Sequence, residues 1–373
     1  MERRLSRHFD LALLVLAAGL VAYGALLIYS ASLNAYPNGI SGLDHPVVKQ
    51  AAFALVGLGV TLAVAWLDYR LFGQMAPALY ALALLLLVAV LFLGDSAYGS
   101  RRWLTFGGTQ IQASEVAKLL MLVALARYLA DRQMEMTRVR TFLLSLAMAV
   151  VPAALVMAEP DMGTAIIFGA IWLGMVLTAG GRLQHVLVLG GFLLAAIPFA
   201  ILAVMGDYQR DRIAVFLNPN ADPLGGGFNI LQAEISVGSG GLLGKGLTQG
   251  SQTQFDFLQT PTTDYIFSVL GEELGLVGAL VLFLLFAALL FRGIRAASLA
   301  RDQFGRLLAT GIVIMILFQV FINVAVNIRL LPVTGIPLPF ISQGGSSLIM
   351  LFAALGLLEG VVLRHKQIEF SST

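Results

Sequence analysis

Polar residues are spaced too widely along this chain to give one face of a soluble helix or strand, and the apolar positions run on in blocks. A helix needs about 20 mostly apolar residues to cross a bilayer core. Ten such stretches occur, roughly at 11–30, 47–66, 76–94, 111–130, 142–158, 163–179, 185–205, 265–291, 307–327 and 345–363. The pattern predicts an all-α polytopic membrane protein, one integral membrane domain over 1–373, with ten transmembrane helices. The first stretch follows Arg3, Arg4 and Arg7 as a signal peptide would, but its apolar region is long for one and nine more follow. An even number of spans puts both termini on one side.

Lysine and arginine collect in cytoplasmic loops, which orients the bundle. The termini and the even-numbered connections hold 15 of the 23 basic residues, the opposite loops seven, and Lys118 lies within a span. Both termini are therefore predicted to be cytoplasmic. The outer seven, Lys49, Arg101, Arg102, Arg210, Arg212, Lys245 and Arg329, need an explanation other than topology. The longest connection, 206–264, is also on the outer side. Loops beyond about 15 residues usually carry function, and Ile213, Val215, Phe216, Ile230 and Ile235 predict short helices or re-entrant pieces packed on the bundle.

Composition narrows the chemistry. Charged residues are 12% and hydrophobic residues 58%, against about 25% charged in a soluble domain. There is no cysteine, and the four histidines lie in separate segments, so neither a thiolate nucleophile nor a zinc or haem site is expected. A net charge of +2 gives no field for nucleic acid.

Charges inside apolar stretches are costly and usually functional. Glu115 and Lys118, at i, i+3, can pair on one helix face, either to lock packing or to border a substrate cavity. Glu272, Glu273 and Glu359 raise the same question. In the outer loop, ten glycines accompany Arg210, Arg212 and Lys245; glycine-rich backbone can gather N–H groups round an anion, and these cations suit phosphate. Asp264, where the loop enters the eighth stretch, can cap that helix or serve as a general base at the outer face. Three prolines and three glycines in Leu331–Ser347 predict broken backbone lining a cavity.

Taken together, Arg101-Arg102-Trp103, Ile111 to Lys118, Pro160-Asp161-Met-Gly-Thr164, Tyr208 to Gly246, Thr263-Asp264-Tyr-Ile-Phe267, Gly271-Glu-Glu-Leu-Gly275 and Pro332 to Ser347 resemble the SEDS family, its RodA branch more than its FtsW branch. The resemblance covers nearly the whole chain in order. Ala113, Glu159, Thr262 and Gln343 stand where the family usually has proline, glutamine, histidine and tyrosine.

The resemblance implies a peptidoglycan glycosyltransferase of the bacterial cytoplasmic membrane that polymerises lipid II during cell elongation, with a class B penicillin-binding protein as transpeptidase partner. It implies Asp264 as the catalytic residue. Arg102, Trp103, Glu115, Lys118, Asp161, Arg210, Arg212 and Lys245 are the expected substrate-binding residues, and a divalent cation, Mg or Mn, is a candidate cofactor. A transporter or flippase of lipid-linked precursor is the rival class, because broken helices with intramembrane charges suit transport as well.

Overall fold

The computed structural model describes residues 9–365 apart from 37–38, 41, 98–99, 107–108, 200–206 and 223–224. Arg3, Arg4, Arg7 and Lys366 of the basic count, and the end of the seventh apolar stretch, lie outside the described residues. Every one of the ten stretches carries a helix. In chain order the elements are α1 (Leu11–Ser32), α2 (Pro46–Trp66), α3 (Tyr69–Gln74), α4 (Ala76–Leu93), β1 (Asp95–Ala97), β2 (Ser100–Phe106), β3 (Thr109–Gln112), α5 (Ala113–Asp131), α6 (Val139–Ala158), α7 (Met162–Thr178) and α8 (Leu183–Phe199). There follow α9 (Asp207–Leu217), α10 (Gly226–Ser239), α11 (Ser251–Gln254), α12 (Ile266–Leu299), α13 (Gln303–Asn327) and α14 (Gly345–Leu363).

Among the described residues, seven helices are long and apolar enough to cross a membrane: α1, α2, α4, α6, α12, α13 and α14. The apolar α7 and α8 are shorter, and α5 carries Glu115, Lys118, Arg127 and Asp131 within its 19 residues. The starts are set by local chemistry. Asp68, Asp161 and Asp302 accept hydrogen bonds from the N–H groups of Arg70, Thr164 and Gly305, filling donors that a helix start leaves open.

The all-α polytopic fold carries one small addition that the sequence pattern did not predict. The connection between α4 and α5 forms a three-stranded antiparallel sheet in the order β1-β2-β3, with Trp103 opposite Gln112 and Leu104 opposite Ile111. Trp103, Thr105 and Phe106 favour extended backbone, and pairing Ile111 and Gln112 with β2 delays the start of α5 to Ala113.

The bundle has an inner and an outer tier. Of the seven long apolar helices, α14 and α13 are the most enclosed, whereas α2 and α4 turn Leu55, Leu85 and Phe92 outward. Lipid offers no hydrophobic drive between helices, so close approach and hydrogen bonds decide their packing. Gly356 lets α14 meet α2 where a Cβ would fall 2.8 Å from the Thr61 carbonyl. There the Thr61 hydroxyl donates to the Phe352 carbonyl at 2.7 Å.

Candidate active site

Asp264 stands just before the N-terminal end of α12, and its main chain is gripped from two sides. Asn323 and Asn327, one turn apart on α13, donate through Nδ2 to the Asp264 carbonyl at 3.2 and 2.9 Å. Asn327 Oδ1 then accepts from the Ser268 N–H and hydroxyl at 3.0 and 2.7 Å. From the other side, Gln343 N donates to the Thr262 carbonyl and the Ser342 hydroxyl to the Thr263 carbonyl, at 2.9 and 2.6 Å. The proline-broken segment before α14 therefore serves as a bracket for the residues leading into Asp264.

The carboxylate itself is not spent on structure. The N-cap of α12 is Tyr265 and no side chain caps this helix, so the capping role open to Asp264 is not taken. No hydrogen bond reaches its carboxylate among the described residues. It keeps a reachable face although protein crowds round it. Burial pushes its pKa above the usual aspartate value; Arg212 and then Arg102 pull it back, and Asp161 adds to the rise.

Those charges come from separate elements. Arg102 on β2 donates through Nε to the Glu159 carbonyl at 2.9 Å and through Nη2 to the Pro160 carbonyl. Arg212 on α9 donates through Nη1 to the Val333 carbonyl at 2.9 Å. Asp161 is buried and caps α7, its Oδ1 accepting from Thr164 N at 3.0 Å and its Oδ2 from Thr164 Oγ1 at 2.9 Å and from Gln112 Nε2 at 3.3 Å. Beside Tyr265, a cavity of about 310 Å³ is lined by Arg212, Asp211, Val215, Asp222 and Asn229. The arrangement offers one uncommitted carboxylate flanked by two anchored guanidiniums.

Other predicted residues are placed elsewhere. Glu115 and Lys118 form the expected ion pair at 2.8 Å, with side chains only 4% and 2% exposed. Lys245 is held at 2.7 Å by Glu272 and at 2.9 Å by the Ser251 hydroxyl. The glycine-rich run proposed to cradle phosphate closes on protein: the amides of Lys245 and Gly246 donate to the carbonyls of Glu272 and Glu273. Arg210 is half-buried on α9, two positions from Arg212, a spacing that does not share a helix face. Trp103 sits half-buried in β2.

Asn323 and Asn327 are absent from the sequence reading; two asparagines at i, i+4 in an apolar stretch are the signal that finds them. Glu159 is the other unforeseen member. It is 1% exposed, and neither carboxylate oxygen has a hydrogen-bond partner. Burial, with Asp161 nearby, pushes its pKa up to about 8 against a smaller pull from Arg102. No three acidic or histidine side chains converge among the described residues to hold a metal ion by themselves, and Asp161 already accepts three hydrogen bonds.

A sequence model of the FtsW, RodA and SpoVE family, described as cell cycle protein, matches residues 10–367. The peptidoglycan glycosyltransferase MrdB of Escherichia coli (strain K12) is 36% identical over 364 residues, covering 98% of this chain and 96% of that protein. RodA of Thermus thermophilus, a rod shape determining protein, superposes with a TM-score of 0.70 at 30% identity, covering 96% of this chain and 98% of that one. A chain from a peptidoglycan synthase complex, solved to show how polymerization and crosslinking are coordinated, superposes with a TM-score of 0.82 at 32% identity, covering 96% of this chain and 99% of its own. With its sequence and its fold matched over nearly its whole length, the chain belongs to the FtsW–RodA–SpoVE family, the SEDS proteins.

Proposed function

We propose that Asp264 is the general base of glycan polymerisation at the outer membrane face. This chain is a peptidoglycan glycosyltransferase, the activity carried in its relatives' names. Its substrates are lipid II and the growing glycan on undecaprenyl diphosphate. Both are anchored by their tails at one depth, which turns a collision into a positioned encounter. The ten helical stretches and the basic-residue asymmetry support ten spans, both termini in the cytoplasm, and residence in the bacterial cytoplasmic membrane.

In the step we infer, the lipid II 4-hydroxyl oxygen attacks the anomeric carbon of the growing strand. The bond from that carbon to the diphosphate oxygen breaks, the diphosphate leaves with the electron pair, and the hydroxyl proton passes to Asp264. One inverting displacement needs one base and no covalent intermediate. A carboxylate with a raised pKa is better matched to that task at neutral pH than an ordinary aspartate. Arg102 and Arg212 meet the charge that grows on the leaving diphosphate. Lys245 we assign instead to holding the outer loop, and Glu115 and Lys118 to fixing α5 beside the site. A crosslinking partner, a class B penicillin-binding protein, and a role in elongation agree with the synthase complex and RodA likenesses.

One observation carries this reading: Asp264 is fixed through its main chain while its carboxylate stays uncommitted. Purified protein in lipid, given lipid II and no ion gradient, should make glycan polymer, which a transporter would not. Asp264→Asn should lower that rate about 10²–10⁴-fold, the usual worth of general-base catalysis. The same change at the exposed loop residue Asp256 should leave the rate near normal. Full activity in Asp264→Asn would refute the assignment.

A further inference from the structure

Helix α12 is broken at Gly275, which adopts φ 62° and ψ −159°, a conformation essentially confined to glycine. In an unbroken helix the Leu276 and Val277 amides would donate to the Glu272 and Glu273 carbonyls. A stretch of the outer loop, 241–246, takes over all four groups. Leu276 N donates to the Gly241 carbonyl and Val277 N to the Leu242 carbonyl, both at 3.0 Å. Lys245 N and Gly246 N donate to the Glu272 and Glu273 carbonyls at 2.9 and 3.0 Å. The fit leaves no space: a Cβ on Gly275 would lie 2.8 Å from the Leu242 carbonyl carbon and oxygen.

The break is deep. Val277 is 15 residues from Arg292, which pairs with Asp10 at the cytoplasmic end. At 1.5 Å per residue that is about 22 Å, within the ~30 Å hydrocarbon thickness. Unpaired backbone groups are not tolerated at that depth in lipid, so the turn's four hydrogen bonds are what make the break tolerable. Its one cation, Lys245, is turned onto Glu272, and its tip, Leu242 and Leu243, is 70% and 78% exposed. That tip continues the outward apolar face of α12 formed by Leu276, Val277, Leu280 and Leu284.

We propose that the 241–246 turn is a re-entrant element of the outer loop, splicing the broken α12 and immersing Leu242 and Leu243 among the acyl chains of the outer leaflet. The inference rests on the membrane placement of α12 given above. It gives the long loop a lipid anchor directly below Asp264, so the loop that carries Arg212 moves with the bilayer surface and not freely above it.

Because the chain has no cysteine, single-cysteine variants report position cleanly. Leu243→Cys, carrying an environment-sensitive fluorophore, is reconstituted in phosphatidylglycerol–phosphatidylethanolamine vesicles beside Leu284→Cys on α12 and Gln259→Cys in the exposed loop. Nitroxide-bearing acyl chains should quench most of the emission at 243, as at 284, while aqueous iodide quenches 259 several-fold more than either. Leu242→Cys repeats the measurement at the neighbouring tip position, and retained glycan polymerisation verifies folding. Iodide quenching at 242 and 243 matching that at 259, with 284 still protected, would overturn the re-entrant turn. Iodide quenching at 284 as well would overturn the membrane placement of α12 and the proposal with it.

Discussion

Two carboxylates at the N-terminal end of α12 are eight residues apart and are used in opposite ways. Glu272 is fully enclosed and saturated: Lys245 Nζ, the Ser251 hydroxyl, Gln252 N, and Thr253 N and Oγ1 all donate to it. Asp264 has its carbonyl held by two asparagines, and among the described residues no hydrogen bond reaches its carboxylate. A carboxylate that already accepts five donors cannot take a substrate proton without losing them, so Glu272 is a fastening. One that is positioned by its main chain keeps its lone pairs for chemistry. The number of charges near a site therefore says less than which atoms of each are already engaged.

The comparison can be sharpened by removing partners, and the largest effect is expected where a charge is buried most deeply. Lys118→Met would leave Glu115 uncompensated inside the bundle, at a cost of about 3–5 kcal/mol. It should appear as a large fall in thermal midpoint in detergent, much of it restored in the Glu115→Gln, Lys118→Met pair. Asn327→Ala strips the amide from the Asp264 carbonyl and the acceptor from Ser268, a loss of about 1–3 kcal/mol. It should lower kcat more than it raises KM, because it moves the base and not the substrate anchors. Arg212→Gln should instead reduce kcat/KM by about 10-fold or more, from one lost charge-assisted contact worth ~1.5–3 kcal/mol.

pH separates the carboxylates further. The base must be ionised, so a raised Asp264 pKa moves the acid limb of kcat above the ordinary aspartate range. Activity should fall as pH drops through that raised value. Glu159 gives the smallest and most specific effect. Its folded pKa near 8 lies above its unfolded value, so the folded state binds the extra proton and loses stability as pH rises through the window between them. Glu159→Gln should match the parent near pH 4 and show a higher thermal midpoint toward pH 8; a pH-independent difference would contradict the neutral, buried form.

Much of this was readable in the chain. Each of the ten apolar stretches carries a helix, and seven of these, among the described residues, are long and apolar enough to cross a membrane, a length that sequence displays directly. The Glu115–Lys118 pair was legible from i, i+3 spacing. What stayed hidden joins distant residues: Lys245 with Glu272, Asn327 with Asp264, and the 241–246 turn with the break at Gly275 are each separated by 27 or more residues. A glycine-rich run looks the same whether its amides meet a phosphate or a helix carbonyl. Only the fold decides which, and here Lys245 N and Gly246 N meet carbonyls.

The most direct test sets Asp264→Asn against Glu272→Gln in one preparation, measuring lipid II polymerisation per folded molecule together with the thermal midpoint. Asp264→Asn should keep the parent midpoint and lose about 10²–10⁴-fold in rate, whereas Glu272→Gln should lower the midpoint and leave the rate of the folded fraction within a few-fold. The reverse pattern, a stable but inactive Glu272→Gln beside an active Asp264→Asn, would contradict the division of labour between the two carboxylates.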